Sequence, residues 1–144
     1  MTKEELFQVM SANPAFHLAT VENGAPRVRG MFLFRADSNG ILFHTGTMKD
    51  IYAQLVANPA AELCFNDYKA GIQVRVRGTL ELVDDQNLKE EIAAHPTRAF
   101  LKPWLQSKGP EKFYRELAVF RLLNGSACAW TMQTNYDPKV FVVL

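Results

Sequence analysis

The sequence predicts a mainly β fold (α+β), a closed or partly closed antiparallel barrel carrying three or so helices, in a single domain over residues 1–144. Three observations carry this. Short alternating runs are separated by turn tripeptides and tetrapeptides such as Glu22-Asn23-Gly24 and Asp37-Ser38-Asn39-Gly40. The run Met31 to Phe34 is apolar on both faces, as a strand covered from both sides must be. A helical period appears only in brief stretches, chiefly at Met48, Ile51, Tyr52, Leu55 and Val56.

Taken in order, the chain opens with a short helix. Thr2 followed by Glu5 makes a capping box, Leu6, Phe7, Val9 and Met10 an apolar side, and Asn13-Pro14 a stop. Phe16 to Val21 is a strand that turns at Glu22-Asn23-Gly24 and returns as Pro26 to Arg35. On the returning strand Arg27, Arg29, Met31, Leu33 and Arg35 share one face, and Val28, Gly30, Phe32 and Phe34 the other. Ile41 to Thr45 is the next strand. After a tight turn a helix is expected to open at Met48, capped by Thr47, and to end at Asn58-Pro59. Ala61 to Asn66 and the long Ile72 to Val83 are strands, Gly78 marking a bulge or close approach. Asp84 or Asp85 caps a helix to about Ala94. Thr97 to Phe113, broken by Pro103 and Gly109-Pro110, reads as irregular or weakly helical. Leu117 to Leu123 and Ala127 to Met132 read as a hairpin joined at Asn124-Gly125, and Lys139 to Leu144 as an apolar end that needs cover.

Lys49 stands out against this pattern. In the expected helix it falls in the first turn, where a partial positive charge and unpaired N–H groups already gather. The plain reading is a solvated lysine beside an ordinary cap. The functional one is an anion site, in which the hydroxyls of Thr45 and Thr47, free backbone donors and the ammonium cradle a phosphate. Other classes recede. Sixteen basic against fifteen acidic residues leave a net charge of +1, too little field to gather nucleic acid, and Arg75 and Arg77 read as a solvent face paired with acidic neighbours. No apolar run approaches a membrane span, and the N-terminus does not read as a signal peptide, so a cytoplasmic protein is expected. Cys64 and Cys128 lack metal or CxxC spacing and read as buried free thiols. His17, His44 and His95 have no ligand spacing, so no metal is expected. His44, opposite in alternation to Thr45, reads as an ordinary strand histidine.

Three stretches, ATVENGAPRVRGMFLF, ILFHTGTMKDIYAQLVANPAAELCF and IQVRVRGTLELVDD, resemble in order and spacing the FMN-binding split-barrel family typified by pyridoxamine 5′-phosphate oxidase, more closely its short single-domain relatives. The resemblance implies a six-stranded Greek-key split barrel with flanking helices. It also implies a homodimer with FMN at the subunit interface. Arg29 and Lys49 would be the phosphate cations, with Arg27 the alternative to Arg29. Thr45 and Thr47 would supply hydroxyls, Gln73 would meet the flavin, and the partner subunit's Trp130 would cover its benzenoid edge. Two departures weigh against pyridoxamine phosphate as substrate: no arginine follows Arg121, and Phe34 stands where the family has a second basic residue on the Arg29 strand. The expected function is an FMN-dependent oxidoreductase acting on a small aromatic or quinone-like acceptor, with NADH or NADPH as donor. The alternative is a non-enzymatic flavin or haem carrier. Since the flavin does the electron transfer, no catalytic side chain is required.

Overall fold

The computed structural model describes residues 1–144. Its elements are α1 (Lys3–Ala12), β1 (Ala15–Glu22), β2 (Ala25–Phe32), β3 (Arg35–Asp37), β4 (Gly40–Gly46), α2 (Asp50–Ala57), β5 (Ala60–Asp67) and β6 (Ile72–Val83). There follow α3 (Gln86–Ala94), a 3₁₀ segment (Pro96–Leu101), α4 (Lys102–Lys108), α5 (Pro110–Glu116), β7 (Leu117–Leu122), β8 (Ser126–Thr131) and β9 (Val142–Val143).

Local chemistry explains the first elements. Thr2 Oγ1 accepts from the Glu5 amide at 3.2 Å while the Thr2 amide donates to Glu5 Oε2 at 2.7 Å, the reciprocal capping box. Asn23 (φ 51°) and Gly24 (φ 78°) both lie in the left-handed region, as a two-residue hairpin turn requires.

The expected strand Pro26 to Arg35 is broken at Leu33-Phe34. The Leu33 amide donates to Pro14 O on the β1 side at 2.8 Å and the Phe34 amide to Leu42 O on β4 at 2.9 Å, so one strand leaves β1 and joins β4. That switch closes the ring β2-β1-β5-β6-β7-β4-β3. Counting β2–β3 and β7–β8 once each and setting aside the two-residue β9, the nine strands make six staves of an antiparallel Greek-key split barrel.

One other expectation is corrected and one is narrowed. Asn124-Gly125 does not turn a hairpin: β7 and β8 do not pair with each other but lie end to end along one edge of β6, Leu122 opposite Leu80 and Ser126 opposite Arg77. Leu123, Asn124 and Gly125 face Gly78 and Thr79, which is a bulge; Asn124 takes φ 57° to make it. The segment after His95 is helical rather than irregular. Pro96, Pro103 and Pro110 each occupy a first helical turn, where the missing N–H costs nothing, so these prolines start helices instead of breaking one.

The barrel interior is packed by Phe16, Leu18, Phe43, Leu63, Phe65 and Phe120 among others, Phe16 stacking on Phe65 at 4.8 Å. A second core of Leu42, Ile92, Leu101, Phe113, Leu117 and Val119 fills the space under the helical segment. β4 is thus buried on both faces. The outer face of β2 is not covered within this chain: Val28 is 69% and Phe32 49% exposed. At the C-terminus Leu144 is buried and its amide donates to Gly125 O at 2.9 Å, whereas Val140 and Val143 remain exposed, so the expected cover is partial. Cys128 is buried and Cys64 half-buried, both as free thiols. No helix is long and apolar enough to cross a membrane.

Candidate functional site

A cleft of about 1170 Å³ opens where the end of β4, the start of α2, the second half of β2 and the helical segment meet. Arg29, Thr45, Lys49, His44, Phe32 and Trp104 are among its walls, and no aspartate or glutamate lines it. Gly46 is closely packed here: a Cβ would displace the exposed Met48 side chain and lie 3.3 Å from the Trp104 ring.

Arg29 reaches the cleft through a polar network. Its Nη1 donates to Leu18 O at 3.1 Å and to Thr20 Oγ1 at 2.9 Å, and its Nη2 donates to Gln54 Oε1. Thr20 Oγ1 also donates to Gln54 Oε1 at 2.7 Å, and Gln54 Nε2 donates to Glu22 Oε2 at 3.2 Å. Of the five guanidinium N–H groups, Nε–H and one on Nη2 stay free for a ligand. Burial lowers the Arg29 pKa, while the nearby charges of Asp50 and Glu22 pull the other way. Thr20 and Gln54 carry no signal of their own in the sequence. Gln54 stands on the barrel-facing side of α2, where an apolar residue is expected, and that misplaced amide is the one clue.

Lys49 is exposed and joins no ion pair. It is the N-cap of α2, which begins at Asp50, so the expected start at Met48 with Thr47 as cap is wrong. The cause is a turn closed by the Lys49 amide on Gly46 O at 3.0 Å and held by the Thr47 amide on Glu116 O at 2.9 Å. Thr45 is buried on the cleft wall, whereas Thr47 does not line it.

The other candidates lie elsewhere. Arg27 is outside the cleft, its Nε 3.3 Å from Glu22 Oε1. Gln73 and Trp130 are cross-strand partners in the β6–β8 register and do not reach this chain's cleft. Gln73 Nε2 donates to Asn66 Oδ1 at 2.9 Å, and Asn66 does line it, while Trp130 Nε1 donates to Asn135 Oδ1 at 2.9 Å. Of the two solvent-face arginines, Arg75 pairs with Glu62 at 3.6 Å, whereas Arg77 covers the Phe141 ring at 3.8 Å and has no acidic partner.

Sequence reasoning also missed Arg98. It is 1% exposed, donates from Nε to His44 Nε2 at 2.7 Å and from Nη2 to Leu33 O at 2.7 Å, and makes no ion pair. His44 is pushed down to about 4, by burial first and then by the Arg98 charge, so the ring is neutral at ordinary pH. Burial likewise lowers Arg98. No three His, Cys, Asp or Glu side chains gather to hold a metal.

A family model described as pyridoxamine 5′-phosphate oxidase matches residues 2–127. A pyridoxine/pyridoxamine 5′-phosphate oxidase of Mycobacterium leprae is 37% identical over 90 residues, 62% of this chain and 41% of that protein. The chain spans about half the length of the curated relatives it matches. Among solved structures, a NimC/NimA family protein of Clostridium acetobutylicum is similar with a TM-score of 0.75 at 20% identity, over 99% of this chain and 93% of that one. A pyridoxamine 5′-phosphate oxidase-related, FMN binding protein of Nostoc punctiforme gives 0.66 at 18% identity, over 98% and 93%. At such identities these structures establish the fold alone.

Proposed function

The chain belongs to the pyridoxamine 5′-phosphate oxidase family, and from that premise we propose that it is a homodimeric, cytoplasmic flavoprotein that binds FMN in this cleft and passes electrons to a small organic acceptor. One observation carries the reading: Arg29 with two spare N–H groups and Lys49 without a counter-ion share a cleft that no carboxylate lines. The FMN phosphate, close to doubly charged, matches that donor set, and a guanidinium fork with an ammonium beside it fixes both position and charge. Thr45 offers a hydroxyl on the same wall. The flavin supplies the electron transfer. The protein supplies binding, orientation and a partly apolar wall that limits water.

Gln73 and Trp130, side by side on the outer face of β6 and β8, are suited to reach the flavin of a second copy rather than this chain's own. The uncovered Val28 and Phe32 on β2 favour such a copy.

Titration of flavin fluorescence with FMN, riboflavin and FAD tests the site. Riboflavin lacks the phosphate and loses its contacts together, a cost of about 4–6 kcal/mol, or on the order of a thousandfold in Kd. FAD, with a bulky esterified phosphate, is expected to be excluded. Riboflavin binding within about tenfold of FMN overturns the phosphate site. Anaerobic reduction by NADH or NADPH, followed by a panel of acceptors, separates an oxidoreductase from a carrier.

A further inference from the structure

Of the polar groups that line the cleft and take no part in the phosphate contacts, His44 is the one backed by a buried guanidinium, that of Arg98. A guanidinium donates and never accepts, so at 2.7 Å His44 Nε2 must be the acceptor, and a neutral imidazole that accepts at Nε2 carries its single proton on Nδ1. Protonating the ring would set N–H against N–H. Arg98 cannot swing away: Nη1 donates to Thr97 Oγ1 at 3.1 Å, Nη2 to Leu33 O at 2.7 Å, and the Phe32, Phe34 and Phe100 rings stand 5.3 to 5.9 Å from the guanidinium carbon.

Nδ1–H, by contrast, is unused. The only buried side-chain nitrogen or oxygen atoms lacking a partner are Nε of Arg35 and of Arg75. His44 Nδ1 has no protein acceptor either, so it is open to solvent, on a residue that lines the cleft. The ring lies nearly parallel to that of Phe100, at 6.2 Å and 27°, and Phe32, Phe100 and Trp104 extend an aromatic wall around it. The other charged or titratable groups along the cleft are His17, Arg29, Lys49 and Tyr68. Behind the wall, Glu116 accepts from the Trp104 indole and His95 packs on Phe34. With no carboxylate facing it, the donor is matched to a neutral or anionic oxygen.

We propose that His44 Nδ1–H, held in place by Arg98, is a substrate-recognition donor for the carbonyl oxygen of a planar conjugated acceptor of the quinone class, stacked on the Phe100 and Phe32 rings. This rests on the cleft being a flavin site. His44 donates a hydrogen bond and keeps its proton; Arg98 is a positioning residue that fixes the tautomer.

The probes are 1,4-naphthoquinone and naphthalene, the same rings without oxygen, titrated into the FMN-loaded protein. In His44→Phe the stacking is kept and the donor lost, so naphthoquinone is expected to bind roughly tenfold more weakly while naphthalene and FMN are unaffected. Nitrogen NMR of the wild type reads the tautomer without any variant, and a neutral ring with the proton on Nδ1 is expected at about pH 6. Arg98→Met should raise the pKa of the ring only part of the way, since burial, the larger cause of its depression, remains, and should leave both neutral tautomers open to it. A wild-type ring protonated on Nε2, or naphthoquinone bound equally well by His44→Phe with FMN binding intact, overturns the His44 assignment alone. Failure of the wild type to bind FMN overturns the flavin reading and this inference with it.

Discussion

Arg29 and Lys49 carry the same charge into the same cleft, yet their removal is expected to have different consequences. Lys49 is exposed and unpaired, so Lys49→Ala should leave folding within about 0.5 kcal/mol of wild type. A charge-assisted phosphate contact is worth about 1.5–3 kcal/mol, so FMN affinity should fall roughly ten- to a hundredfold. Arg29→Ala should weaken FMN similarly, but it also strips donors from the buried pair Thr20 and Gln54 and should cost about 1–3 kcal/mol of stability. Urea unfolding beside flavin titration separates the two. His44 gives a pH signature. Its pKa drops from 6.5 to about 4 on folding, so between those values the unfolded chain binds a proton that the folded one does not. Stability is therefore full above the unfolded value and falls as pH drops through the window, by about 3 kcal/mol in all. His44→Phe should remove that slope from the pH dependence of urea midpoints.

Among the elements, the β7–β8 bulge is the most exacting. A Cβ on Gly125 would collide with Leu122 Cδ2 and stand 3.1 Å from the Arg77 carbonyl oxygen; the side chain can yield but the backbone of β6 cannot. Gly125→Ala should then cost about 1–3 kcal/mol in thermal or urea unfolding, the range for overpacking. The site also anchors the C-terminus, since Gly125 O accepts from the Leu144 amide. At the other end of the chain, Thr2→Ala removes one half of the capping box and should cost about 1 kcal/mol. Its effect should stay local, because Leu6 and Met10 still bury the same face of α1.

The whole molecule leaves apolar surface uncovered both beside the cleft and at its wall. Val28 at 69% and Phe32 at 49% exposure lie on the outer face of β2. A second copy seated there would also bring Gln73 and Trp130 toward a neighbouring cleft. Light scattering at micromolar concentration should therefore report a dimer. Val28→Glu should shift it toward monomer and weaken FMN binding together, since a completed site needs both chains. A monomeric wild type, or a monomeric variant that binds FMN normally, would sink the shared-site reading.

Features that depend on near neighbours in the chain are legible in its residues. Alternation and turn residues place β1, β4, β5 and β6 within a residue or two, the capping box is readable at Thr2 and Glu5, and Arg29, Thr45 and Lys49, which pattern and resemblance single out, line one cleft. Features that depend on distant partners are not legible in this way. Asn124-Gly125 has the local chemistry of a turn, but β6 offers one edge long enough for both β7 and β8, so the chain bulges onward instead of reversing. Three prolines that look like breakers begin helices because a core of Ile92, Leu101, Phe113 and Val119 pays for folding them back on the barrel. Arg98 meets His44 across 54 residues, and Arg29 meets Gln54 across 25. A polar residue's local sequence carries no record of a partner so far away. Only the closed barrel, by removing water from both groups, makes each pairing obligatory.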